Sequence, residues 1–113
     1  MKALIVDKAK VRNNLQVIQT AAGDAQIYAV LKINAYGLGL KPMAELCREA
    51  GIRRFAVTEP EDAVRLRDWG FQEEEILILR STACEEDIRA ILKAGATATV
   101  GSYDAALALN GIA

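Results

Sequence analysis

A single lysine ends an apolar stretch in the first third of the chain. Lys32 follows residues 27–31, a β-favouring run of the kind that forms a strand buried on both faces. An ammonium group at the end of such a strand must be paired, solvated or neutralised, because burying an unpaired charge is costly. Lys32 is therefore a candidate functional amine. A lysine that only ends a strand and extends into solvent is the ordinary alternative.

The residues after Lys32 have the composition of a turn. Residues 34–39 read Asn-Ala-Tyr-Gly-Leu-Gly, and Pro42 suits the start of a following helix. In parallel α/β proteins, ligands bind where the carboxyl ends of strands lead into the next helix. Gly37 and Gly39 would let the backbone approach a ligand closely, and Tyr36 supplies a hydroxyl group. The sequence thus predicts a ligand site with Lys32 at its mouth.

The composition removes several kinds of chemistry. The chain contains no histidine, which is the most common general base and metal ligand. Its two cysteines are too few for a disulfide framework and too isolated for a zinc site. We expect Cys47 and Cys84 to be buried free thiols on apolar helix faces, which suits a reducing cytoplasm. Chemistry in this chain must therefore use lysine, tyrosine, carboxylate or thiol groups, or a cofactor, and no metal site is predicted.

Length and charge describe one globular domain. The chain has 113 residues, of which 52% are hydrophobic, and a formal net charge of -1. This charge gives no electrostatic signature for nucleic acid or an anionic membrane. No apolar run approaches the roughly 20 residues that span a bilayer. We expect a soluble protein with a small-molecule ligand.

Strand and helix patterns alternate along the chain. After a short β-favouring run at residues 3–6, strands are predicted at residues 27–32, 54–58, 75–79 and 97–100, each followed by a helical pattern. Asp7 and Ser102 are predicted N-caps, and Thr58 and Thr82 each stand three residues before a glutamate, the spacing of a capping box. Such alternation with short connections favours an α/β fold with a parallel sheet.

Four strand–helix units are half the number in a TIM-type barrel, which takes about 250 residues. Two architectures remain open on this evidence: the first half of a (β/α)8 barrel, or a small open doubly wound sheet. A half barrel by itself would present two unpaired strand edges. We therefore expect the isolated piece to oligomerise or aggregate.

The segment from Lys32 to Gly39, Lys-Ile-Asn-Ala-Tyr-Gly-Leu-Gly after an Ala-Val pair, resembles the pyridoxal 5'-phosphate attachment motif of alanine racemases. These are fold-type III enzymes whose N-terminal domain is a TIM-type barrel. The resemblance covers nearly the whole chain and favours the half-barrel architecture. It implies that Lys32 forms the Schiff base with the cofactor and that Tyr36 hydrogen-bonds its phosphate. Ile33 stands where alanine is usual and Leu38 where histidine is usual, which bears on the substrate more than on the cofactor.

The same resemblance implies a function for a longer parent protein. That protein would interconvert the L and D forms of alanine or a similar small amino acid as a cytoplasmic homodimer. Lys32 would be the catalytic base on one face of the substrate, and a tyrosine from the C-terminal domain of the partner subunit would be the base on the other. Residues 1–113 would then be an incomplete N-terminal part of the barrel domain, inactive alone. A non-catalytic pyridoxal-phosphate carrier barrel and a cofactor-free α/β binding domain are the alternatives.

Four further side chains are predicted near the same mouth. Thr58, Arg80, Ser81 and Ser102 lie at or beside the ends of later strands. Arg80 could hold an anionic group, although a surface charge beside a helix is the preferred interpretation. The acidic runs at residues 73–75 and 85–87 are interpreted as a solvated turn and the first turn of a helix.

Overall fold

The computed structural model describes residues 5–113, which form a parallel sheet covered by helices. The elements, in chain order, are α1 (Lys8–Ala22), β1 (Ala29–Val30), the short turn α2 (Lys32–Tyr36), α3 (Leu40–Glu49), β2 (Arg54–Val57), α4 (Pro60–Asp68), β3 (Glu75–Ile78), α5 (Glu85–Ala94) and α6 (Tyr103–Ile112). Of the helices in these residues, none is both long and apolar enough to span a membrane.

The sheet contains β1, β2 and β3 in sequential order, all parallel. Ala29 lies opposite Phe55, which in turn lies opposite Ile76. The predicted strand at 97–100 is wrong beyond its first residue, because only Thr97 forms a bridge, to Leu77. Two residues later, the Thr99 hydroxyl donates a 2.6 Å hydrogen bond to the Ile78 carbonyl, so a side chain takes the place of a backbone bond.

The main core lies between the sheet and its helices. Phe55, Leu66, Phe71 and Ile76 are fully buried, and the two phenylalanine rings meet edge to face with their centroids 5.7 Å apart. Full burial of such side chains contributes about 1.5–3 kcal/mol each. Because β2 is buried on nearly its whole length, its position is firmly set, and it holds β1 and the residues after β1 in register.

Two predicted N-caps are confirmed and two predicted capping boxes are wrong. The Asp7 carboxylate accepts from the Ala9 and Lys10 N–H groups, and the Ser102 hydroxyl accepts from Ala105. By contrast, α4 begins after Glu59 and α5 after Cys84, and neither residue makes a side-chain cap bond.

The Thr82 hydroxyl explains the failure at α5. It accepts a 3.1 Å hydrogen bond from the Cys84 N–H and donates a 2.8 Å bond to Asp87 Oδ2. This local turn occupies the hydroxyl that a capping box would need. Helix α4 begins at Pro60, which has no backbone N–H. One of the unpaired backbone donors at the start of this helix is therefore absent.

Cysteine burial was predicted correctly at only one position. Cys47 is buried within α3, whereas Cys84 is exposed. Cys84 precedes the first turn of α5, so helical periodicity does not apply to it. Leu92, in the same helix α5, is also exposed.

The N-terminal predictions have mixed outcomes. Of the predicted run at 3–6, Ala3 and Leu4 lie outside the described residues, and Ile5 and Val6 are not in a strand. The helix predicted after Asp7 forms as α1, on which Leu15 packs against the core and Ile18 is exposed.

Candidate functional site

The segment after β1 winds in the left-handed sense. Ile33, Asn34, Ala35 and Tyr36 have φ values of 56, 52, 54 and 57°. A left-handed helical conformation costs L-residues other than glycine roughly 1–2 kcal/mol each, so four in succession persist only where their surroundings hold them. The predicted strand at 27–32 therefore ends early, at Val30, and Lys32 opens this turn.

Backbone hydrogen bonds and burial hold the turn in place. The Ala35 N–H donates to the Leu31 carbonyl at 3.0 Å, and the Gly37 N–H donates to the Ile33 carbonyl at 3.0 Å. Leu31 and Ala35 are both buried in the core. Gly37, at φ 83°, then lets the chain leave the turn at no steric cost. The turn is thus anchored to the core at Leu31 and Ala35, while its intervening side chains project outward.

Lys32 and Tyr36, the two predicted site residues, stand at the two ends of this turn. Lys32 is half-buried, and Tyr36 is 60% exposed. Within residues 5–113 the Lys32 amine makes no ion pair and the Tyr36 hydroxyl makes no hydrogen bond. An amine and a phenol held on one anchored turn, both unpartnered in the described part of the chain, are available to a ligand.

Helix α3 begins directly beyond the turn, two residues earlier than Pro42 suggested. Its N-cap is Gly39, which has no side chain, and the amide oxygen of Asn34 accepts the Leu40 N–H instead, at 2.8 Å. Pro42 has no N–H to offer. Two of the first positions of α3 therefore offer no backbone N–H to an anion, and the Tyr36 hydroxyl is a side-chain donor that this segment presents.

The loop after β3 is cross-linked by Arg80. Its guanidinium contacts Glu59 Oε2 at 3.0 Å and Asp87 Oδ2 at 3.1 Å. Hydrogen bonds to these two carboxylates raise the pKa of Arg80 above its ordinary value. Since both partners are internal, Arg80 joins the loops that follow β2 and β3 and is not free to hold a ligand anion. The preferred interpretation of Arg80 was a surface charge beside a helix, and its contact with Asp87 of α5 agrees with that position.

Of the three predicted hydroxyl side chains, two are used internally. Ser81 Oγ accepts the Gly101 N–H at 2.8 Å, and Ser102 caps α6. Thr58 has no side-chain hydrogen bond in the described residues. It stands two residues beyond Ala56, the strand partner of Val30, just as Lys32 stands two residues beyond Val30. Thr58 therefore lies just beyond β2, the strand paired with β1, and it alone of the three has an uncommitted hydroxyl in the described residues.

A polar cluster at the opposite ends of the strands was missed by the sequence analysis. The Tyr28 hydroxyl donates to Glu75 Oε1 at 2.7 Å, and Arg54 Nε lies 3.2 Å from Glu75 Oε2. The hydrogen bond to Glu75 is the main cause that raises the pKa of Tyr28. Glu75 is the first residue of β3, where the predicted strand at 75–79 begins, so its interpretation as part of a turn was wrong although it is exposed. The signal that could have found it is a charged first residue on each of two paired strands.

The neighbouring residue Glu74 also contradicts the solvated-turn interpretation. It is only 3% exposed, its Oε1 lies 3.9 Å from Arg53, and its Oε2 has no hydrogen-bond partner in the described residues. Arg67 donates to its carbonyl at 2.7 Å and holds it against the C-terminal end of α4. Glu73 and Glu75 of the acidic run are exposed, and Glu74 is its buried member.

Fold and site together define an α/β domain of parallel βα units that carries a lysine amine after β1, unpaired in the described residues. Residues 6–113 match the family described as "Alanine racemase, N-terminal domain", and the chain belongs to this family. The predicted fold class, parallel βα units of a TIM-type barrel, is confirmed by this match and by the solved structures below.

Two curated relatives are alanine racemases. The one from Listeria innocua is 36% identical over 100 residues, which are 88% of this chain and 27% of the relative. The one from Limosilactobacillus reuteri is 38% identical over 103 residues, which are 90% of this chain and 27% of the relative. This chain therefore spans about a quarter of the length of these relatives.

Two solved structures share the fold closely. A histidine racemase from Leuconostoc mesenteroides subsp. sake has a TM-score of 0.83 at 30% identity, covering 93% of this chain and 28% of that protein. An alanine racemase from Corynebacterium glutamicum also has a TM-score of 0.83, at 33% identity, covering 92% of this chain and 30% of that protein.

Proposed function

We propose that this chain is the lysine-bearing part of a pyridoxal 5'-phosphate-dependent racemase that acts on alanine or a similarly small amino acid. One observation carries the proposal: the Lys32 amine is unpartnered in the described structure and opens an anchored turn that ends in the free Tyr36 hydroxyl. Family membership supplies the reaction class, and the curated relatives named alanine racemase support the choice of substrate.

The residues present fit this cofactor. Pyridoxal phosphate supplies an aldehyde that a primary amine holds covalently and a conjugated ring that takes up the electron pair left by a departing α-proton. Lys32 offers the amine at the carboxyl end of a strand, the usual ligand edge of a parallel sheet. A Cβ built on Gly37 would meet no atom within 4 Å, so the exit of the turn is open.

Each site residue has a defined role in this proposal. Lys32 Nζ would hold the cofactor and would take or return the α-proton of the substrate. Tyr36 donates its hydroxyl hydrogen to the phosphate. Most of the phosphate contacts must come from outside this segment, because the Leu40 N–H is already bonded to Asn34.

Racemisation also needs a proton donor on the opposite face of the substrate. Lys32 and Tyr36 are both carried by α2, which spans Lys32–Tyr36, so both approach a ligand from the same side. In this proposal a second base comes from the partner subunit of a homodimer. The 113-residue chain by itself is therefore expected to bind the cofactor without racemising an amino acid.

Borohydride trapping tests the cofactor role. The chain is incubated with pyridoxal phosphate, reduced, digested and mapped by mass spectrometry. We expect one phosphopyridoxyl group, on Lys32, and its loss in Lys32→Ala. Lys93→Ala, an exposed lysine in the last turn of α5, is the matched control and should leave the labelling unchanged. Equal labelling spread over all lysines would contradict the proposed site.

A chiral assay tests the expectation that the chain by itself does not racemise an amino acid. L-alanine is incubated with the chain and the cofactor, and D-alanine is measured by chiral chromatography. We expect no D-alanine above the level given by free pyridoxal phosphate. Formation of D-alanine that depends on Lys32 would show that these residues already contain both bases, and the dimer part of the proposal would fail.

A further inference from the structure

Asn34 occupies a junction between the left-handed turn and helix α3. It lies in the turn itself, at φ 52°, two residues after Lys32 and two before Tyr36. Its side-chain Oδ1 accepts the Leu40 N–H at 2.8 Å, and its carbonyl accepts the Gly39 N–H at 2.9 Å. Two bonds from one residue therefore close the chain on itself around Tyr36.

The side-chain bond replaces a missing helix cap. A helix start is ordinarily satisfied by a serine, threonine, aspartate or asparagine at the N-cap, but Gly39 stands there with no side-chain bond. Asn34 supplies the acceptor from six residues away. Asparagine is also among the residues that adopt positive φ most readily, so it suits both the conformation and the bond.

We infer that Asn34 is a positioning residue for the amine and the phenol of the site. The inference rests on the proposed function, and it concerns how the two groups are held and not what they do. Helix α3 is fixed to the core by Leu40, Ala44 and Cys47. Through the bond to Leu40, Asn34 ties the outward side of the turn to this fixed helix. Lys32 and Tyr36 then keep one separation and one orientation.

Three substitutions at Asn34 separate the effect of losing the hydrogen-bond acceptor from the effect of backbone strain. Asn34→Gly removes the acceptor and leaves the positive φ unstrained. Asn34→Ala removes the acceptor and adds strain. Asn34→Asp keeps an oxygen for the Leu40 N–H and places a negative charge at a helix start, where it is favourable. Asn14→Ala, an exposed asparagine on α1, is the matched control.

Two measurements are made on each variant of the chain. The first is the hydrogen-exchange protection of the Leu40 amide, which needs no cofactor. The second is the yield of Lys32-specific label in the borohydride experiment. For Asn34→Gly and Asn34→Ala we expect both quantities to fall about three- to tenfold, the size of one lost hydrogen bond. Asn34→Asp should restore both, and Asn14→Ala should change neither.

Global stability is followed in parallel by urea unfolding. The positioning role requires that Asn34→Gly lower Lys32 labelling under conditions where the chain stays folded. If Asn34→Gly keeps full Leu40 protection and full labelling, the inference is overturned. If the parent chain labels no lysine specifically, the proposed function fails. Leu40 protection then decides the inference alone: its loss in Asn34→Gly and recovery in Asn34→Asp would support the positioning bond.

Discussion

The Tyr28 hydroxyl donates a 2.7 Å hydrogen bond to Glu75 Oε1, across the strand that lies between them. Arg54, on that intervening strand, contacts the other carboxylate oxygen at 3.2 Å. One carboxylate thus joins the starts of three adjacent strands on a single face of the sheet. Lys32 lies beyond the other end of these strands, where β1 leads into α2. The polar cluster and the predicted ligand site therefore lie at opposite ends of the strands.

The first prediction concerns the pH dependence of Tyr28. Its pKa is raised above 10.0, chiefly by the hydrogen bond to Glu75, because ionisation would remove the donor and place two anions together. A group whose pKa is raised by folding stabilises the fold below its ordinary pKa and loses this contribution as the pH rises through the raised value. We expect NMR titration of the Tyr28 ring to give a midpoint above 10.0. In Glu75→Ala the Tyr28 midpoint should lie closer to 10.0. Tyr28→Phe assigns the signal, and an unchanged midpoint in Glu75→Ala would refute the explanation.

The second prediction concerns strain at Ile33. This β-branched residue has a φ of 56° and is 73% exposed, so it bears a conformational cost with little burial in return. Ile33→Asn should raise the free energy of unfolding by about 0.5–1 kcal/mol. Urea unfolding measures the change. Leu92→Ala, which truncates an exposed apolar side chain in an ordinary helix, is the control and should give no gain. Destabilisation by Ile33→Asn would show that the side chain makes a contact worth more than the strain.

The third prediction concerns Arg67. Its guanidinium donates to the carbonyls of Ala94, Phe71 and Glu74, each at 2.7 Å, and so joins the ends of two helices to the start of β3. Arg67→Met leaves three part-buried acceptors without their donor and should cost about 2–4 kcal/mol of unfolding free energy.

A neighbouring arginine provides the control for Arg67. Arg65 on the same helix pairs, within residues 5–113, only with Asp62 and is largely exposed, so Arg65→Met should change the unfolding free energy by less than about 0.5 kcal/mol. Thermal or urea unfolding of both variants measures the difference. Equal effects would show that the three carbonyl bonds add nothing beyond ordinary surface pairing.

The fourth prediction concerns the two thiols. Burial raises the pKa of Cys47, which lowers its thiolate fraction, whereas Cys84 is exposed. With a disulfide reagent at neutral pH we expect one fast thiol and one at least about tenfold slower, because the buried thiol reacts only after local opening. Cys84→Ser should remove the fast phase, and urea should make Cys47 fast. Loss of the fast phase in Cys47→Ser would reverse the assignment.

Much of this protein followed from local patterns in the sequence. The order of βα units, the parallel sheet and the position of Lys32 at the end of a strand all depend on apolar periodicity and on glycine and proline between elements, which act over a few residues. The N-caps Asp7 and Ser102 were predictable for the same reason, since each contacts a backbone group within three residues.

Tertiary structure decided the features that depend on contacts between distant residues or on competing local bonds. The left-handed turn after Leu31 persists because buried Leu31 and Ala35 and the Asn34–Leu40 bond outweigh its strain. The Tyr28–Glu75 pair spans 47 residues and exists only through the sheet register. The sequence by itself determined that an amine follows a strand. Packing against β2 and α3 decided how that amine is held, because the conformational strain of the left-handed turn is offset only by contacts that folding brings together.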